Sequence, residues 1–135
     1  MEIALFLHGS RSAKVTTPCH GSGRLVRQAG SRGRFGIVDL IVEPNPGDPF
    51  GCMLSWEVSE EQIPIIFLDG IISGVKEVMT EPGFAGDHLS ETRIRVVGGA
   101  YHSTDSKTSC YFTATTIALR QALGEAGLYE SEGST

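Results

Sequence analysis

Several features that would support catalysis, metal binding or membrane insertion are absent from the sequence. Only three cysteines occur among the 135 residues, and none of them shows the CxxC spacing of a zinc site. The four histidines likewise lack a metal-binding spacing such as HxxxH. No apolar run reaches the roughly 18 residues that a membrane-spanning helix needs. These absences predict reduced thiols, two of them buried, in a cytoplasmic protein that holds no metal.

Two further signals are missing. The apolar stretch Ile3–Leu7 has no basic region before it and is too short for a signal peptide, so it is predicted to be a strand or a packed arm. The phosphate-binding pattern GxxxxGK followed by Ser or Thr does not occur. We therefore expect that this chain does not itself bind or hydrolyse a nucleoside triphosphate.

Charge is distributed unevenly along the chain. Residues 1–38 contain six basic and one acidic side chain, whereas residues 39–135 contain five basic and fifteen acidic ones. The net charge of −5 disfavours non-specific nucleic-acid binding, because the phosphate backbone repels an acidic protein at long range. The arginines near the start can nevertheless contact phosphates if the acidic residues face away.

The hydrophobic pattern predicts one α+β domain. Period-two alternation indicates strands at Met1–Leu7, Arg24–Gln28, Phe35–Val42, Gly51–Val58 and Thr92–Val97. A first helix is predicted from a Ser59 N-cap to Met79, with Ile65, Leu68, Ile72, Val75 and Met79 facing the sheet. A second helix is predicted over Asp105–Leu123, with Phe112, Thr116, Leu119 and Leu123 in the core. Residues 9–23 are predicted to be a loop and residues 129–135 a polar tail. The expected architecture is a two-layer sandwich: about four mostly antiparallel strands with two long helices on one face.

The segment Gly98–Gln121 contains the most informative motif. Gly98 and Gly99 are suited to a tight turn, which places His102 at the tip of a loop before the second helix. Asp105 or Ser106 is expected to cap that helix. Taken alone, the motif is more typical of a strand–turn–helix joint with an incidental histidine.

The run from Gly99 to Lys107 resembles domain IV of elongation factor G and of its eukaryotic and archaeal counterpart, elongation factor two. The family reads Gly-Ser-Tyr-His-Asp-Val-Asp-Ser-Ser at this place, and the Tyr-His and Asp-Ser pairs are kept at the same spacing. Gly30–Gly36 is similar to the family loop Gly-Gly-Arg-Gly-Gln-Tyr-Gly. Shorter matches lie between these blocks in the family order, at Glu43-Pro44, Ile63-Pro64 and Phe84-Ala85-Gly86. The resemblance covers about residues 23–127, with an uncertain arm over 1–22 and a tail over 128–135.

The resemblance implies the fold of the C-terminal domain of ribosomal protein S five, including a left-handed βαβ crossover. It also implies the tip of a ribosomal translocase, which contacts transfer RNA and messenger RNA at the decoding centre of the small subunit. Full-length relatives are translational GTPases, so the resemblance implies that GTP is bound by a separate domain and that this chain has no cofactor. Tip loop one would comprise Gly30, Ser31, Arg32, Gly33, Arg34, Phe35 and Gly36. Tip loop two would comprise Gly99, Ala100, Tyr101, His102, Ser103, Thr104 and Asp105.

Within these loops, the resemblance implies that Arg32 contacts phosphate and His102 faces the RNA duplex. Tyr101 is expected to pack against the loop and support it. Arg34 and Ser103 depart from the family's usual Gln and acidic residue, and both changes make the tip more positive. These departures favour a divergent or stand-alone member, and the chain is expected to be either an excised domain or a product that encodes this domain only.

Two other function classes compete with this interpretation. His102, Asp105 and Ser106 are close in sequence, as in acid–base or nucleophilic catalysis, but no nucleophile elbow surrounds them, and an enzyme is not expected. A stand-alone module that has lost RNA contact would instead bind a protein partner through its acidic body.

Overall fold

The computed structural model describes residues 1–29 and 32–131, without the side chains of Ala29 and Arg32. The strands are β1 (Glu2–Ala4), β2 (Ser12–Ala13), β3 (Cys19–Ala29), β4 (Arg32–Pro44), β5 (Cys52–Trp56), β6 (His88–Leu89) and β7 (Thr92–Ala100). The helices are α1 (Leu68–Met79) and α2 (Thr108–Glu125), and a 3-10 turn at Ile65–Phe67 precedes α1. The predicted α+β architecture is confirmed.

The main sheet has five strands, in the order β1-β5-β7-β4-β3, where about four were expected. Three of its four neighbouring pairs are antiparallel, and β5 and β7 are parallel. The fifth strand is β1, which lies within the segment predicted to be a strand or a packed arm and pairs over only three residues with β5. Because β5 and β7 are parallel neighbours, the chain must cross over between them, and α1 lies in that crossover. A separate two-stranded ladder joins β2 to β6.

The inner face of the sheet forms the core with the two helices. Val38, Leu40 and Val42 of β4 are completely buried, as are Ile94 and Val96 of β7. Arg93 and Arg95 alternate with the buried residues of β7 and point to the other face, as the sequence predicted. On that outer face Arg95 donates to Glu57 and to Glu43, so the solvent side of the sheet is held by ion pairs.

Strand β3 begins at Cys19, so the prediction of a loop over residues 9–23 was wrong at its C-terminal end. Gly21 and Gly23 suggested a loop in the sequence, but they lie where the backbone of α2 crosses the strand. A Cβ added at Gly21 would lie 1.8 Å from the Ala118 carbonyl oxygen, and one at Gly23 would lie 1.7 Å from that of Ala114. These glycines serve close strand–helix packing, which is not visible in local sequence patterns.

Helix α1 begins at Leu68 rather than at Ser59. The Ser59 hydroxyl does accept from the Gln62 N–H at 3.2 Å, and the Gln62 side chain accepts from the Ser59 N–H at 2.9 Å. These two reciprocal hydrogen bonds stabilise a turn at Ser59–Gln62 and do not cap α1. Pro64 follows this turn, and the 3-10 turn at Ile65–Phe67 separates it from the helix. The helix ends at Met79, before Pro82, as predicted.

Helix α1 packs beside α2, and its buried residues Ile71, Val75 and Val78 belong to the same core as the inner face of the sheet. Gly70 and Gly74 allow this approach, since a Cβ at these positions would lie 2.4 Å from the Thr108 carbonyl oxygen and 2.8 Å from that of Phe112. Of the five apolar residues predicted to face the sheet, Val75 and Met79 are buried, whereas Ile65 is exposed. The prediction failed there because Ile65 belongs to the 3-10 turn, which has a different period.

Helix α2 spans Thr108–Glu125, not Asp105–Leu123 as predicted. Its N-cap is Lys107, which makes no side-chain capping bond, so the predicted caps Asp105 and Ser106 were wrong. The predicted stripe is largely buried, with Phe112 partly exposed. At the other end Gly127 has a φ of +77°, and the Leu128 N–H donates to the Leu123 carbonyl at 2.8 Å. This Schellman arrangement ends the helix.

The segment after α2 packs against the residues that follow α1. The Ala85 N–H donates to the Leu128 carbonyl, and the Glu130 N–H donates to the Gly83 carbonyl. The Tyr129 hydroxyl donates to Glu81 at 2.8 Å, and Arg120 binds the same carboxylate. Residues 129–135 were predicted to be a polar tail. Tyr129 and Glu130 are instead hydrogen-bonded to the segment that follows α1. Residues 132–135 lie outside the described part of the chain.

All three cysteines are buried and unbridged, one more than the two that were expected to be buried. Burial raises the pKa of Cys52 to about 12, which keeps this thiol protonated and unreactive. Within residues 1–29 and 32–131, no helix is long and apolar enough to span a membrane. The same residues contain no cluster of His, Cys, Asp and Glu side chains that would hold a metal ion.

Candidate nucleic-acid interface

Two segments that are far apart in sequence meet at one end of the sheet. One is the end of the β3–β4 hairpin, and the other is the connection from β7 to α2, residues 101–107. The last pair between β4 and β7 is Ile37 with Ala100. Beyond it the connection continues beside β4, because the Phe35 N–H donates to the Asp105 carbonyl at 3.3 Å. The two blocks on which the family resemblance rests therefore lie side by side.

Ser106 links these two segments through its side chain. Its hydroxyl donates to the Phe35 carbonyl at 2.8 Å and accepts from the His102 N–H at 2.9 Å. The Ser106 N–H in turn donates to the His102 carbonyl at 3.0 Å. Ser106 thus holds the histidine turn against the hairpin, which explains why it is not available to cap α2.

His102 lies at the outer end of this junction, and its side chain is 53% exposed. Its Nδ1 atom accepts from the N–H groups of Thr104 and Asp105, each at 3.2 Å. Because both bonds need the lone pair on Nδ1, the neutral ring carries its hydrogen on Nε2. Among the described residues nothing accepts from Nε2, so the turn presents one oriented N–H donor on a half-exposed ring.

Asp105 is inside the junction rather than at its surface. Its side chain is 16% exposed and accepts from the Gln28 side chain at 3.4 Å. A Cβ added at Gly33 would lie 2.3 Å from Asp105 Oδ2, so the Asp105 carboxylate occupies the space that a side chain at this position would take. Asp105 therefore positions the two segments relative to each other.

The aromatic side chain that packs behind the loop is Tyr111, for which the sequence predicted no role, and not Tyr101. Tyr101, expected to pack and support the loop, is 39% exposed. Tyr111 is completely buried, donates its hydroxyl hydrogen to the Ala100 carbonyl at 2.6 Å and stacks on Phe67 with ring centroids 4.7 Å apart. The signal for Tyr111 was available: it lies on one helical face with Ala114, Ala118 and Ala122, the face that is most buried.

Tip loop one is shorter than predicted, because Arg32–Gly36 belongs to β4. Gly30 and Ser31 lie outside the described residues, as does the side chain of Arg32. Arg34 is exposed, Phe35 is partly buried and Gly36 lies against Cys110 of α2. The reason for the difference is the strong pairing of the hairpin, which continues to Ala29 and Arg32.

Tip loop two is also partly strand. Gly99 and Ala100 belong to β7, which extends three residues beyond its predicted end at Val97. A Cβ at Gly99 would lie 2.4 Å from the Ile37 carbonyl oxygen and 2.5 Å from the Ile63 side chain, so this glycine serves packing. Ser103 and Thr104 are exposed in the turn. The exposed part of loop two is therefore Tyr101–Thr104.

The model of the family "Elongation factor G, domain IV" matches residues 12–127 of this chain. The chain belongs to this family. The match begins at β2, eleven residues before the region in which the sequence resemblance was seen, and so it covers the whole of β3. The family resemblance predicted from the sequence is confirmed.

Two individual proteins illustrate the similarity. Elongation factor G 2 of Desulfotalea psychrophila is 36% identical over 107 residues, which cover 77% of this chain and 15% of that protein. A crystal structure of a Thermus thermophilus protein matches with a TM-score of 0.72 and 25% sequence identity, over 84% of this chain and 16% of the other. The chain therefore spans only a small part, 15% and 16%, of the length of these two proteins.

Proposed function

We propose that this chain works as the tip of a ribosomal translocase and contacts the transfer RNA–messenger RNA region of the small ribosomal subunit during elongation. Membership of the elongation factor G domain IV family supports a role on the ribosome. In this proposal the contacting groups are those exposed at the junction of the β3–β4 hairpin and the β7–α2 connection, and the contact depends on the shape of the RNA rather than on its sequence.

The observation that carries the proposal is the convergence of the two family blocks on one exposed end. The backbone bond from Phe35 to Asp105 and the Ser106 bridge join them there. The junction exposes the Arg34 guanidinium and the ring of His102 with its Nε2–H. Cationic and neutral N–H donors of this kind suit phosphate oxygens and ribose 2′-hydroxyls.

We further propose that the chain contributes contact and not catalysis, and that GTP is bound by another domain. The hydroxyl of Ser106 donates to the Phe35 carbonyl, and His102 Nδ1 accepts from two backbone N–H groups. In a catalytic pair the serine hydroxyl would donate to a histidine nitrogen, but here the Ser106 hydroxyl and His102 Nδ1 are both hydrogen-bonded to the backbone. These hydrogen bonds support a structural role for Ser106 and an exposed binding role for His102.

Co-sedimentation with ribosomes and with isolated small subunits, across a series of salt concentrations, tests the proposal. The tip variant is Arg32→Ala/Arg34→Ala/His102→Ala. A matched control is Arg11→Ala/His20→Ala/Lys76→Ala, which removes two cations and a histidine at exposed positions away from the junction. We expect salt-sensitive binding to the small subunit that the tip variant loses and the control variant keeps.

Equal binding by the tip variant and the wild type would contradict the proposal. Binding that is insensitive to both the tip substitutions and salt would favour the competing function, a protein-interaction module that uses the acidic body of the domain.

A further inference from the structure

Two arginines face each other directly across the β3–β4 hairpin. The register pairs Arg27 with Arg34, and both residues are exposed. Side chains of directly opposed residues lie on the same face of the ribbon, with Cβ atoms about 5 Å apart. Like charges in this position are destabilising, so an isolated hairpin would gain stability by replacing either residue. The sequence analysis predicted a place in the contact loop for Arg34 but not for Arg27.

Several other basic side chains of this fold are matched with acidic partners. Lys14 pairs with Glu91, Arg93 with Glu2, and Arg120 with Glu81, while Arg95 has two carboxylate partners. Among the described residues, neither Arg27 nor Arg34 makes an ion pair with a carboxylate. The cross-strand pair is thus a concentration of positive charge that the described part of the protein leaves uncompensated.

The nearby carboxylate of Asp105 lies on the opposite face of the ribbon. It accepts from Gln28 and lies over Gly33, and these two residues form the next cross-strand row after Arg27 and Arg34. Because successive side chains in a strand point to opposite faces, that row faces away from the arginines. Asp105 is therefore poorly placed to neutralise the arginine pair.

The faces of the hairpin can be assigned from their contacts. Gly23 and Gly36 lie against the backbone of α2, and alternation places Arg27 and Arg34 on this same face. Phe35 alternates to the other face, and its ring centroid lies 6.3 Å from that of His102. The arginine pair and the histidine are consequently on opposite faces of the same hairpin.

We propose that Arg27 and Arg34 form a phosphate clamp for an RNA backbone, on the face of the hairpin opposite to His102. The clamp rests on the proposed function and deepens it, because it assigns the two sides of the tip to different segments of RNA. A phosphodiester between the two guanidinium groups accepts from both and removes their mutual repulsion. His102 then contacts a separate part of the RNA through Nε2–H.

Fluorescence anisotropy with a short labelled RNA hairpin tests the clamp. The variants are Arg27→Glu and, as a control with the same charge change, Lys76→Glu on the exposed face of α1. We expect Arg27→Glu to weaken binding by about tenfold or more relative to Lys76→Glu. We also expect it to reduce the slope of log affinity against log salt by roughly one. Equal affinities of the two variants would overturn the clamp.

Thermal unfolding supplies a second readout that separates loss of the clamp from loss of the fold. Arg27→Glu places a carboxylate opposite Arg34, so its melting temperature in chloride should equal or exceed that of the wild type. Replacing chloride with inorganic phosphate at equal ionic strength should raise the melting temperature of the wild type more than that of Arg27→Glu. A phosphate effect without any difference in RNA affinity would indicate a small-anion site and would also overturn the RNA clamp.

The ribosome experiment distinguishes the clamp from the function on which it rests. If Arg27→Glu loses RNA affinity while the tip variant still binds small subunits, the clamp stands and the proposed function fails. If the tip variant loses small-subunit binding while Arg27→Glu keeps its RNA affinity, the proposed function stands and the clamp is overturned.

Discussion

At the scale of single residues, the junction depends on a few groups whose roles are set by hydrogen bonds. Ser106 holds the histidine turn to the hairpin, and His102 Nδ1 is occupied by backbone donors. Asp105 fills the space above Gly33. His102 is thereby oriented before any ligand arrives, which lowers the entropic cost of a contact made through its Nε2–H.

Replacing Ser106 with alanine should loosen this junction. The Phe35 carbonyl and the His102 N–H each lose their partner, so we expect a loss of about 1–2 kcal/mol in the free energy of unfolding. Ser103→Ala is the matched control, because Ser103 is exposed and makes no hydrogen bond among the described residues. Urea unfolding measures both variants, and equal stability of the two would refute the bridging role.

At the scale of elements, close packing of backbone on backbone determines where the helices lie. Helix α2 rests on β3 at Gly21 and Gly23, and α1 rests on α2 at Gly70 and Gly74. The predicted two-layer arrangement is correct, and both helices share one hydrophobic core with the sheet. Local patterns can indicate that a helix is amphipathic, but they do not indicate which element covers its apolar face.

Two glycine-to-alanine substitutions in this packing should have opposite effects. Gly23→Ala places a methyl group 1.7 Å from the Ala114 carbonyl oxygen, so α2 must move away and stability should fall by about 1–3 kcal/mol or more. Gly124→Ala lies in α2 with its nearest neighbour at 3.8 Å, so it should raise stability by about 0.5–1 kcal/mol through helix propensity. Denaturant midpoints test both, and a Gly23→Ala protein as stable as the wild type would show that the close approach is not required.

At the scale of the whole molecule, the sheet has one face covered by helices and one face that carries ion pairs. Hydrogen bonding to Arg95 lowers the pKa of Glu57 to about 2. Hydrogen bonding to Arg120 likewise lowers the pKa of Glu81, at the far end of the helix layer. Both carboxylates bind protons less readily in the folded state than in the unfolded chain, so acid must destabilise the fold.

The contribution of Glu57 should be fully present above pH 4.5 and should disappear as the pH falls from there toward about 2, where the folded-state carboxylate is protonated. Glu57→Gln should therefore make stability depend less steeply on pH in this window. Glu61→Gln is the control, because Glu61 is exposed and forms no ion pair with any described residue. Melting temperatures measured between pH 5 and 2 test this prediction. Parallel curves of melting temperature against pH for Glu57→Gln and the wild type would contradict the lowered pKa of Glu57.

The sequence by itself determined the family, the α+β class and the alternation of buried and exposed residues in the central strands, because these follow from local periodicity and motif spacing. It did not show that Gly21 and Gly23 lie in a strand, that Ser106 bridges two loops, or that Tyr111 rather than Tyr101 is buried. Each of these depends on a partner that is distant in the chain: α2, the Phe35 carbonyl and Phe67. The pairing of Arg27 with Arg34 also needed the structure, because only the register of the hairpin places two like charges on one face.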